Sequence, residues 1–562
     1  MSNKVLVIYE TRGKLALVFD NLTRLWAAER KVNLATALAL AAICVAVFFL
    51  GVPRLAVYGH DIFIVLDGAW RVLCGQRPTV DFFAQMGPLY YLLHAAGLAL
   101  AGGNAEGLGY SSALAAVIIA GWAFLLLRRR MASLPFVLAC LFLLLLAVAP
   151  FPLGHMPRET SFSMKHNRYG FTLTGLVLLE SFLPSLGESR RQQFGGGFSS
   201  GLACAALLFL KVSYGLVAIV IFSASLLFRP KEHARVAGAL AGGTVFALPM
   251  LAYLRFDFGA LVSEYRILAA VQKTRVSFYE ITHRFYFDRY QVGSILVLAI
   301  FTAALPDLPW RRRLALPLAV CLAACGGTLL ILTNTQPDAR PLTSIAALLA
   351  INELTLYYRT KQVSQAPALL GFGLLYVLSP LFMNAAGLTL GLWDKAFSPV
   401  PVHRFQAAHL RALEFLDVAD MRRRNDNGEA YVGYTEEGLE LVRTHTRPGD
   451  TVRGLSMSNP FSYALWRPPA EGGAVVISST DVSTKAVAPK ELLVGDPDVL
   501  VVPKYEETER ASLDILLAKY PDLLGKDYLP VAESQNWILY RKAPAEAPPV
   551  AEQQSSDLQA SR

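Results

Sequence analysis

The sequence predicts a polytopic α-helical membrane protein with a C-terminal α/β domain. Of its 562 residues, 54% are hydrophobic and only 17% are charged, whereas a soluble protein carries about a quarter charged residues. The apolar residues are also concentrated in long runs, which is typical of membrane-spanning helices. This composition excludes a single soluble globule, a disordered chain and a nucleic-acid-binding protein.

Positive charge is concentrated in the apolar part of the chain. Residues 1–384 hold 33 Lys and Arg against 18 Asp and Glu, a net charge of +15, whereas residues 385–562 hold 19 against 25, a net charge of −6. Basic residues of membrane proteins gather in cytoplasmic loops. The excess charge therefore indicates membrane loops rather than a nucleic-acid groove.

Eleven apolar runs are predicted to span the membrane. They are residues 33–52, 110–127, 132–150, 169–187, 199–210, 213–228, 234–254, 291–308, 314–333, 342–358 and 367–384. With residue 1 in the cytoplasm, the inside segments hold 19 basic residues in about 67 positions and the outside loops 13 in about 97. A further run, 88–103, is too short to cross and is predicted to be interfacial, re-entrant or merged with the next span.

Composition divides the chain into four segments. Residues 1–32 are predicted to be cytoplasmic, 33–384 to form the membrane domain, 385–542 to fold as an external α/β domain, and 543–562 to be a disordered tail. Within the α/β domain, strands are predicted at 451–457, 498–503 and 536–542. Helices are predicted at 403–424 and 509–519.

The first external loop, residues 53–87, carries acidic side chains. Asp61 precedes an amphipathic stretch that could lie flat on the membrane. A carboxylate at a helix N-terminus is stabilised in its charged form, and the alternative is that Asp61 only caps the helix. Asp67 and Asp81 have a simpler alternative as solvated or turn residues.

This loop resembles the first external loop of the GT-C superfamily of polyprenyl-phosphate-sugar glycosyltransferases, nearest the bacterial branch of the protein O-mannosyltransferase and aminoarabinose-transferase-like group. The matching residues are Asp61, Gly75 and Pro78, Asp81-Phe82, and Gly87-Pro88-Leu89-Tyr90, with a second match over Leu210-Lys211 and Gly215. The many spans followed by an external α/β domain match as well.

The resemblance implies an enzyme that transfers a hexosyl or pentosyl group from a polyprenyl phosphate to an external acceptor, with Asp61 as general base. Departure of the lipid phosphate needs cations, and cations at membrane depth are functional candidates. The candidate cations are Arg158, Lys165, Arg168, Lys211 and Arg340. Further candidates for substrate contacts are His60, Asp81, Glu159, His166, Asn167, Asn334 and Gln336.

Each candidate has an ordinary alternative. Lys211 could snorkel to the surface, the loop cations could be surface charges, and residues 334–340 could be a plain connector. The family pattern is also not fully met. Many relatives have paired acidic residues where this chain has His60-Asp61, and the aminoarabinose-transferase-like members have a Lys before Pro-Pro-Leu where this chain has Met86-Gly87-Pro88.

No cofactor is expected. Two histidines and a glutamate lie in the second external loop, residues 152–169, but their spacing does not support a divalent metal. The expected partners are the polyprenyl-phosphate-linked sugar donor, membrane lipids, and an acceptor that is a lipid, a polysaccharide or a protein; nucleic acid is not expected.

The expected location is the bacterial inner membrane, with a role in modifying the cell envelope. The alternatives are a lipid or glycolipid transporter and a non-catalytic scaffold for envelope assembly.

Overall fold

The computed structural model describes residues 29–183, 189–229, 231–272, 277–333, 339–361, 366–417, 427–479, 482–483, 486–505 and 508–544. Over these residues the protein is a polytopic helical membrane protein followed by a small α/β domain, as the sequence predicts. The tail predicted at 543–562 lies outside the described residues from 545 onward.

The membrane part consists of consecutive helices. They are α1 Glu29–Leu50, α2 Asp61–Leu73, α3 Pro88–Leu100, α4 Gly107–Leu127, α5 Ser133–Val148, α6 Lys165–Phe182, α7 Arg190–Leu210, α8 Val212–Leu226, α9 His233–Tyr253, α10 Phe258–Gln272, α11 Phe278–Phe287, α12 Arg289–Ala303, α13 Trp310–Thr333, α14 Pro341–Lys361 and α15 Ala366–Phe397. Each of the eleven predicted spans coincides with one of these helices.

Length and composition separate the helices into groups. In the described part of the chain, six are long and apolar enough to cross a membrane, namely α1, α4, α7, α9, α13 and α15. Shorter apolar helices are α3, α5, α8 and α12. Helix α3 has 13 residues, which corresponds to about 20 Å, so it is too short to cross a bilayer core of about 30 Å.

Helices α7 and α9 pack closely through glycines. A Cβ at Gly197 or Gly201 of α7 would overlap the carbonyl group of Arg235 or Ala239 on α9, and a Cβ at Gly238 would overlap the carbonyl of Phe194. Small residues four apart allow two helix backbones to approach in this way. The predicted span 199–210 is the second half of a longer helix, because α7 already begins at Arg190.

The C-terminal domain contains a four-stranded mixed sheet in the order β3-β6-β8-β7. Its elements are β1 Val402–His403, β2 Phe415–Leu416, α16 Gly428–His445, β3 Val452–Gly454, α17 Phe461–Ala464, β4 Val482–Ser483, β5 Ala486–Val487, α18 Lys490–Leu493, β6 Val499–Pro503, α19 Arg510–Lys519, β7 Tyr528–Glu533 and β8 Trp537–Lys542. Strand β3 pairs with β6 in parallel, and the other pairs in this sheet are antiparallel.

Most predicted elements of this domain are confirmed. The strands near 451–457, 498–503 and 536–542 and the helix near 509–519 are present. The helix predicted at 403–424 is wrong over its described part, which forms β1, a short 3₁₀ turn and β2. Strands β1 and β2 pair with each other, and Leu55 in the first external loop bonds to Glu414 through its backbone. This pairing overrides the local charge pattern.

The C-terminal domain is docked on α2 through buried polar contacts. Arg71 of α2 donates to the carbonyl oxygens of Ala470 and Gly472 at 3.1 and 2.9 Å. Trp70 Nε1 donates to the carbonyl of Arg467 at 2.9 Å. Helix α2 is mostly buried, so its apolar face is covered by protein and does not lie on the membrane surface.

Candidate active site

Asp61 begins helix α2 and its carboxylate is the centre of the candidate site. Ser163 Oγ donates a hydrogen bond to Asp61 Oδ2. Oδ1 lies 3.1 Å from His60 Nε2 without hydrogen-bond geometry. The Asp61 side chain is 12% exposed. The carboxylate is therefore hydrogen-bonded through Oδ2, while Oδ1 is buried beside the His60 ring and accepts no hydrogen bond from the described residues.

A second group of polar side chains lies on the His60 side of this carboxylate. Tyr58 packs edge-on against the rings of both His60 and His155, with centroids 6.3 and 5.5 Å apart. Its hydroxyl is 3.5 Å from His155 Nε2, and His155 Nδ1 is 3.2 Å from Glu159 Oε2. The backbone of Tyr58 has a φ of 53°, an uncommon conformation for a non-glycine residue that sets the turn into α2.

A buried cluster of aromatic and basic side chains lies on the other side. Tyr90 lies near Asp61 and packs against the rings of His94 and His166, with centroids 4.6 and 5.4 Å apart. His166 Nε2 lies 3.4 Å from Lys211 Nζ. His94 Nε2 and His166 Nδ1 are buried and have no hydrogen-bond partner among the described residues. His166 Nδ1 is a donor, because Nε2 of the same ring faces the Lys211 ammonium, and its N–H and the Lys211 charge suit an anionic ligand. His94 Nε2 is an acceptor, because Nδ1 donates to Ser111 Oγ, whose own hydrogen goes to the carbonyl of Leu108.

Lys211 occupies a break between two helices. It is the single residue between α7 and α8, and its φ of −167° and ψ of 119° are extended. The backbone N–H of Gly87 donates to the carbonyl of Leu210 at 2.9 Å, so the end of the first external loop is fixed at this break. Broken helices at membrane depth are tolerated where they line a cavity.

Lys165 and Arg168 hold backbone carbonyl groups at the end of α5. Lys165 Nζ donates to the carbonyls of Val148 and Ala149 at 3.3 and 3.2 Å. Arg168 donates to Leu146 O, Phe151 O and Asn384 Oδ1 at 2.7 to 2.9 Å. Basic side chains commonly bind the unpaired carbonyls of a helix C-terminus. Both therefore position the start of α6, and one Arg168 nitrogen, Nη2, stays without a partner among the described residues.

Asn167 is held next to this group. Tyr214 Oη donates to Asn167 Oδ1 at 3.2 Å. Asn167 Nδ2 is buried without a hydrogen-bond partner among the described residues. The four consecutive predicted residues 165–168 thus lie together at the start of α6, where all four are buried.

A largely apolar cavity of about 780 Å³ opens next to the site. Aromatic and aliphatic side chains from α5, α12 and α15 form most of its wall, and its polar lining includes His155, Arg340 and Asn384. His155 joins this cavity to Asp61 through Tyr58 and His60. Its size and apolar lining are typical of a ligand cavity.

Arg340 is the cation of this cavity. It forms an ion pair with Asp288 and donates to Thr328 Oγ1, and its Nε is buried without a hydrogen-bond partner in the described part of the chain. The predicted contacts Asn334 and Gln336 lie outside the described residues.

Asp81 and Arg158 lie apart from this group. Asp81 pairs with Arg77, whose Nε is 2.8 Å from Asp81 Oδ2. Partial burial raises the pKa of Asp81, but the hydrogen bonds from the Arg77 side chain and backbone outweigh it and lower the pKa below the usual value. Arg158 has an exposed side chain.

Sequence reasoning missed Ser163, Tyr90, His94, Tyr58 and Asn384 as members of the site. Ser163 lies within the second external loop, and Tyr90 belongs to the Gly87-Pro88-Leu89-Tyr90 match, so both carried a signal. His94 and Asn384 were read as parts of apolar runs. A polar residue inside such a run is itself a signal.

The chain is similar to two solved structures of ArnT from Cupriavidus metallidurans, one bound to undecaprenyl phosphate and one in the apo state. The first is 14% identical over 91% of this chain and 99% of that chain, with a TM-score of 0.45. The second is 14% identical over 90% and 97%, with a TM-score of 0.46. No family model and no curated protein matches.

Ligands for a metal ion would have to come from His, Cys, Asp and Glu side chains. Among the described residues, no group of three His, Cys, Asp or Glu side chains could hold a metal ion. His155 and Glu159 are instead engaged with each other, and His166 lies beside the cation Lys211.

Proposed function

We propose that this protein is a membrane glycosyltransferase that moves a sugar from a polyprenyl-phosphate donor to an acceptor hydroxyl on the external face of the bacterial inner membrane. The observation that carries the proposal is the position of Asp61. Its carboxylate accepts a hydrogen bond from Ser163, and the nearby Tyr90 packs on His166, which lies 3.4 Å from Lys211. A base and a nearby cation are the two features that this transfer needs.

Asp61 is the proposed general base. It takes the proton of the acceptor hydroxyl as the acceptor oxygen forms a bond to the anomeric carbon of the sugar. The bond between that carbon and the donor phosphate oxygen breaks, and its electron pair leaves with the polyprenyl phosphate. The proton remains on Asp61 until water removes it.

The departing phosphate gains negative charge and needs nearby donors. Lys211 and His166 supply them on one side of Asp61, and Arg340 supplies another at the cavity. The apolar wall of the cavity suits the isoprenoid chain, whose transfer from water to an apolar surface is favourable. The donor lipid is therefore proposed to lie in this cavity with its phosphate toward the polar side chains.

The C-terminal domain is proposed to face the same side and to help define the acceptor site. It docks on α2, whose first residue is Asp61. Arg71 and Trp70 of α2 bind the backbone of this domain, and Asp61 is the first residue of the same helix. A displacement of the domain would therefore move Asp61 as well. The boundary at residue 385 remains a prediction, and α15 continues to Phe397.

The test is turnover by the purified full-length protein in detergent. A panel of polyprenyl-phosphate sugars is supplied with detergent-solubilised membrane extract as acceptor source, and release of free polyprenyl phosphate is measured. The native protein is compared with Asp61→Asn and with Asp81→Asn, whose carboxylate is engaged by Arg77. We expect release by the native protein and by Asp81→Asn and none above background by Asp61→Asn.

Two results would contradict the proposal in different ways. Equal release by the native protein and by Asp61→Asn would remove Asp61 from the chemistry. A native protein that neither turns over nor binds any donor would favour a transporter or a scaffold. Binding is measured separately, by the ability of each donor to raise the thermal unfolding temperature.

A further inference from the structure

The membrane part has a second cavity at the end opposite to Asp61. A Cβ at Gly109, in the first turn of α4, would overlap the backbone of Gly51 next to the first external loop, so α4 begins at the site end. Its 21 residues carry the chain about 32 Å. The second cavity, of about 730 Å³, lies at the far end of α4, between α4 and α7.

This cavity has basic side chains on one edge. Arg128, Arg129 and Arg130 follow α4 and line it. Arg130 is committed to Glu180, at 3.1 Å. Arg128 and Arg129 have no ion-pair partner among the described residues, and Arg128 Nε is buried without a hydrogen bond there.

The described carboxylates nearby are engaged by other arginines. Glu180 is fully buried and also pairs with Arg235, while Ser200 Oγ donates to it at 2.8 Å. Glu232 pairs with Arg235 and with Arg229. Among the described residues no carboxylate is left for Arg128 and Arg129, so an anion from outside the chain can pair with them. Arg128 also lies over the Phe124 ring, 5.7 Å from its centroid.

The rest of the cavity is apolar and open to the side. Trp122, Leu125 and Leu202 line its wall, with Leu356 on α14. Leu125 and Leu356 are exposed, so the wall continues onto the surface that faces lipid. Polar side chains lie near the arginines, where Gln192 lines the cavity and Ser199 Oγ accepts from Trp122 Nε1 at 2.7 Å.

We propose that this cavity binds the headgroup phosphate of an anionic phospholipid of the surrounding bilayer. Guanidinium groups pair with phosphate oxygens in bidentate geometry. Basic pockets between transmembrane helices bind phospholipid headgroups in this way. The apolar wall receives the acyl chains, which a free phosphate ion does not have. The site is separate from the transferase site and does not depend on it.

The experiment measures lipid retention by native mass spectrometry of the full-length protein in detergent. Phosphatidylglycerol and phosphatidylcholine with the same acyl chains are the two probes. The double variant Arg128→Gln/Arg129→Gln is compared with Arg190→Gln/Arg191→Gln, which removes the same charge from exposed residues that do not line the cavity. We expect phosphatidylglycerol to be retained over phosphatidylcholine. We expect the first variant to lower that retention about tenfold and the second to leave it unchanged.

A second variant keeps the charges and fills the space. Gly195 lines the cavity, and a Cβ there meets no atom within 4 Å. Gly195→Leu is also compatible with the helix, in which glycine is unfavourable. We expect this variant to fold, since it adds a side chain to empty space, and to lose phosphatidylglycerol.

Four outcomes would overturn the proposal, and the first three concern lipid retention. They are equal retention of the two lipids, equal loss in the two double variants, and unchanged retention in Gly195→Leu. Displacement of phosphatidylglycerol by millimolar inorganic phosphate alone would also overturn it, because that result describes a free-anion site without acyl chains.

Discussion

Helix α2 carries two aspartates six residues apart, Asp61 and Asp67, which differ in burial and in hydrogen bonding. Asp67 is fully buried, with one oxygen 3.0 Å from Arg71 Nε and the other 2.9 Å from Asn459 Nδ2. The Asp61 side chain is slightly exposed and accepts from Ser163 through Oδ2, whereas its Oδ1 lies 3.1 Å from His60 Nε2 and accepts no hydrogen bond from the described residues. Both oxygens of Asp67 accept hydrogen bonds, whereas among the described residues only Oδ2 of Asp61 does.

The difference separates a structural carboxylate from a chemical one. A buried charge is stable only when it is paired and hydrogen-bonded, and Asp67 meets this condition through the C-terminal domain. A general base instead needs an oxygen that no donor engages, and Asp61 Oδ1 accepts no hydrogen bond from the described residues. The same residue type on one helix thus joins two domains at one position and is the proposed base at the other.

Asp61→Asn is expected to have the largest effect on activity. The amide keeps the size and can still accept from Ser163, but it cannot take the acceptor proton, so we expect kcat to fall by about 10²–10⁴. Steady-state release of polyprenyl phosphate measures this change. Thermal unfolding of the same sample serves as control, and an unfolding temperature lowered by several degrees would show that Asp61 is structural as well.

Arg71→Leu is expected to have the largest effect on stability. It leaves the Asp67 charge buried without its ion pair, which costs about 3–5 kcal/mol, and it removes the bonds to Ala470 and Gly472. Thermal unfolding in detergent measures the loss. The matched control is Arg77→Leu, which breaks a partly exposed pair with Asp81 and should cost under about 1 kcal/mol. Equal losses in the two variants would contradict a special role for the Asp67 pair.

The sequence predicted the helices better than it predicted the roles of the side chains. Apolar runs mark membrane helices because the bilayer core excludes polar backbone and charge, and every predicted span coincides with a helix. By contrast, Asp67 was read as a solvated or turn residue, because its partner Asn459 lies 392 residues away. No local pattern contains such a pairing.

Only part of the candidate site could be predicted, because several of its contacts join residues far apart in the sequence. Asp61 could be selected from its place after the first span, and residues 165–168 from their charge. The contact of Ser163 with Asp61, across 102 residues, follows from the packing of two loops. Lys165 and Arg168 were selected as phosphate contacts, yet most of their donors bind carbonyls at the end of α5.

Ser163→Ala tests whether the hydrogen bond from Ser163 to Asp61 positions the proposed base, because it removes only that bond. A hydrogen bond to a charged group contributes about 1.5–3 kcal/mol, so we expect activity to fall about tenfold. Release of polyprenyl phosphate measures this loss. Ser225→Ala is the control, since Ser225 Oγ donates to Phe222 O within α8, and it should change activity less than about twofold. Equal activity in both variants would mean that Ser163 does not position the base.

Asp81→Asn is expected to have the smallest effect. The pKa of Asp81 is lowered, because the bonds from Arg77 outweigh the effect of burial. The stabilisation is therefore fully present above the ordinary aspartate pKa of about 3.9 and is lost as the pH falls through the lower folded value. At pH 7 we expect a loss under about 1 kcal/mol, reduced by solvent screening, and activity within about twofold. Thermal unfolding at pH 7 and below pH 4 measures the loss, which should shrink at the lower pH. A tenfold loss of activity without a loss of stability would instead place Asp81 beside Asp61 in the chemistry.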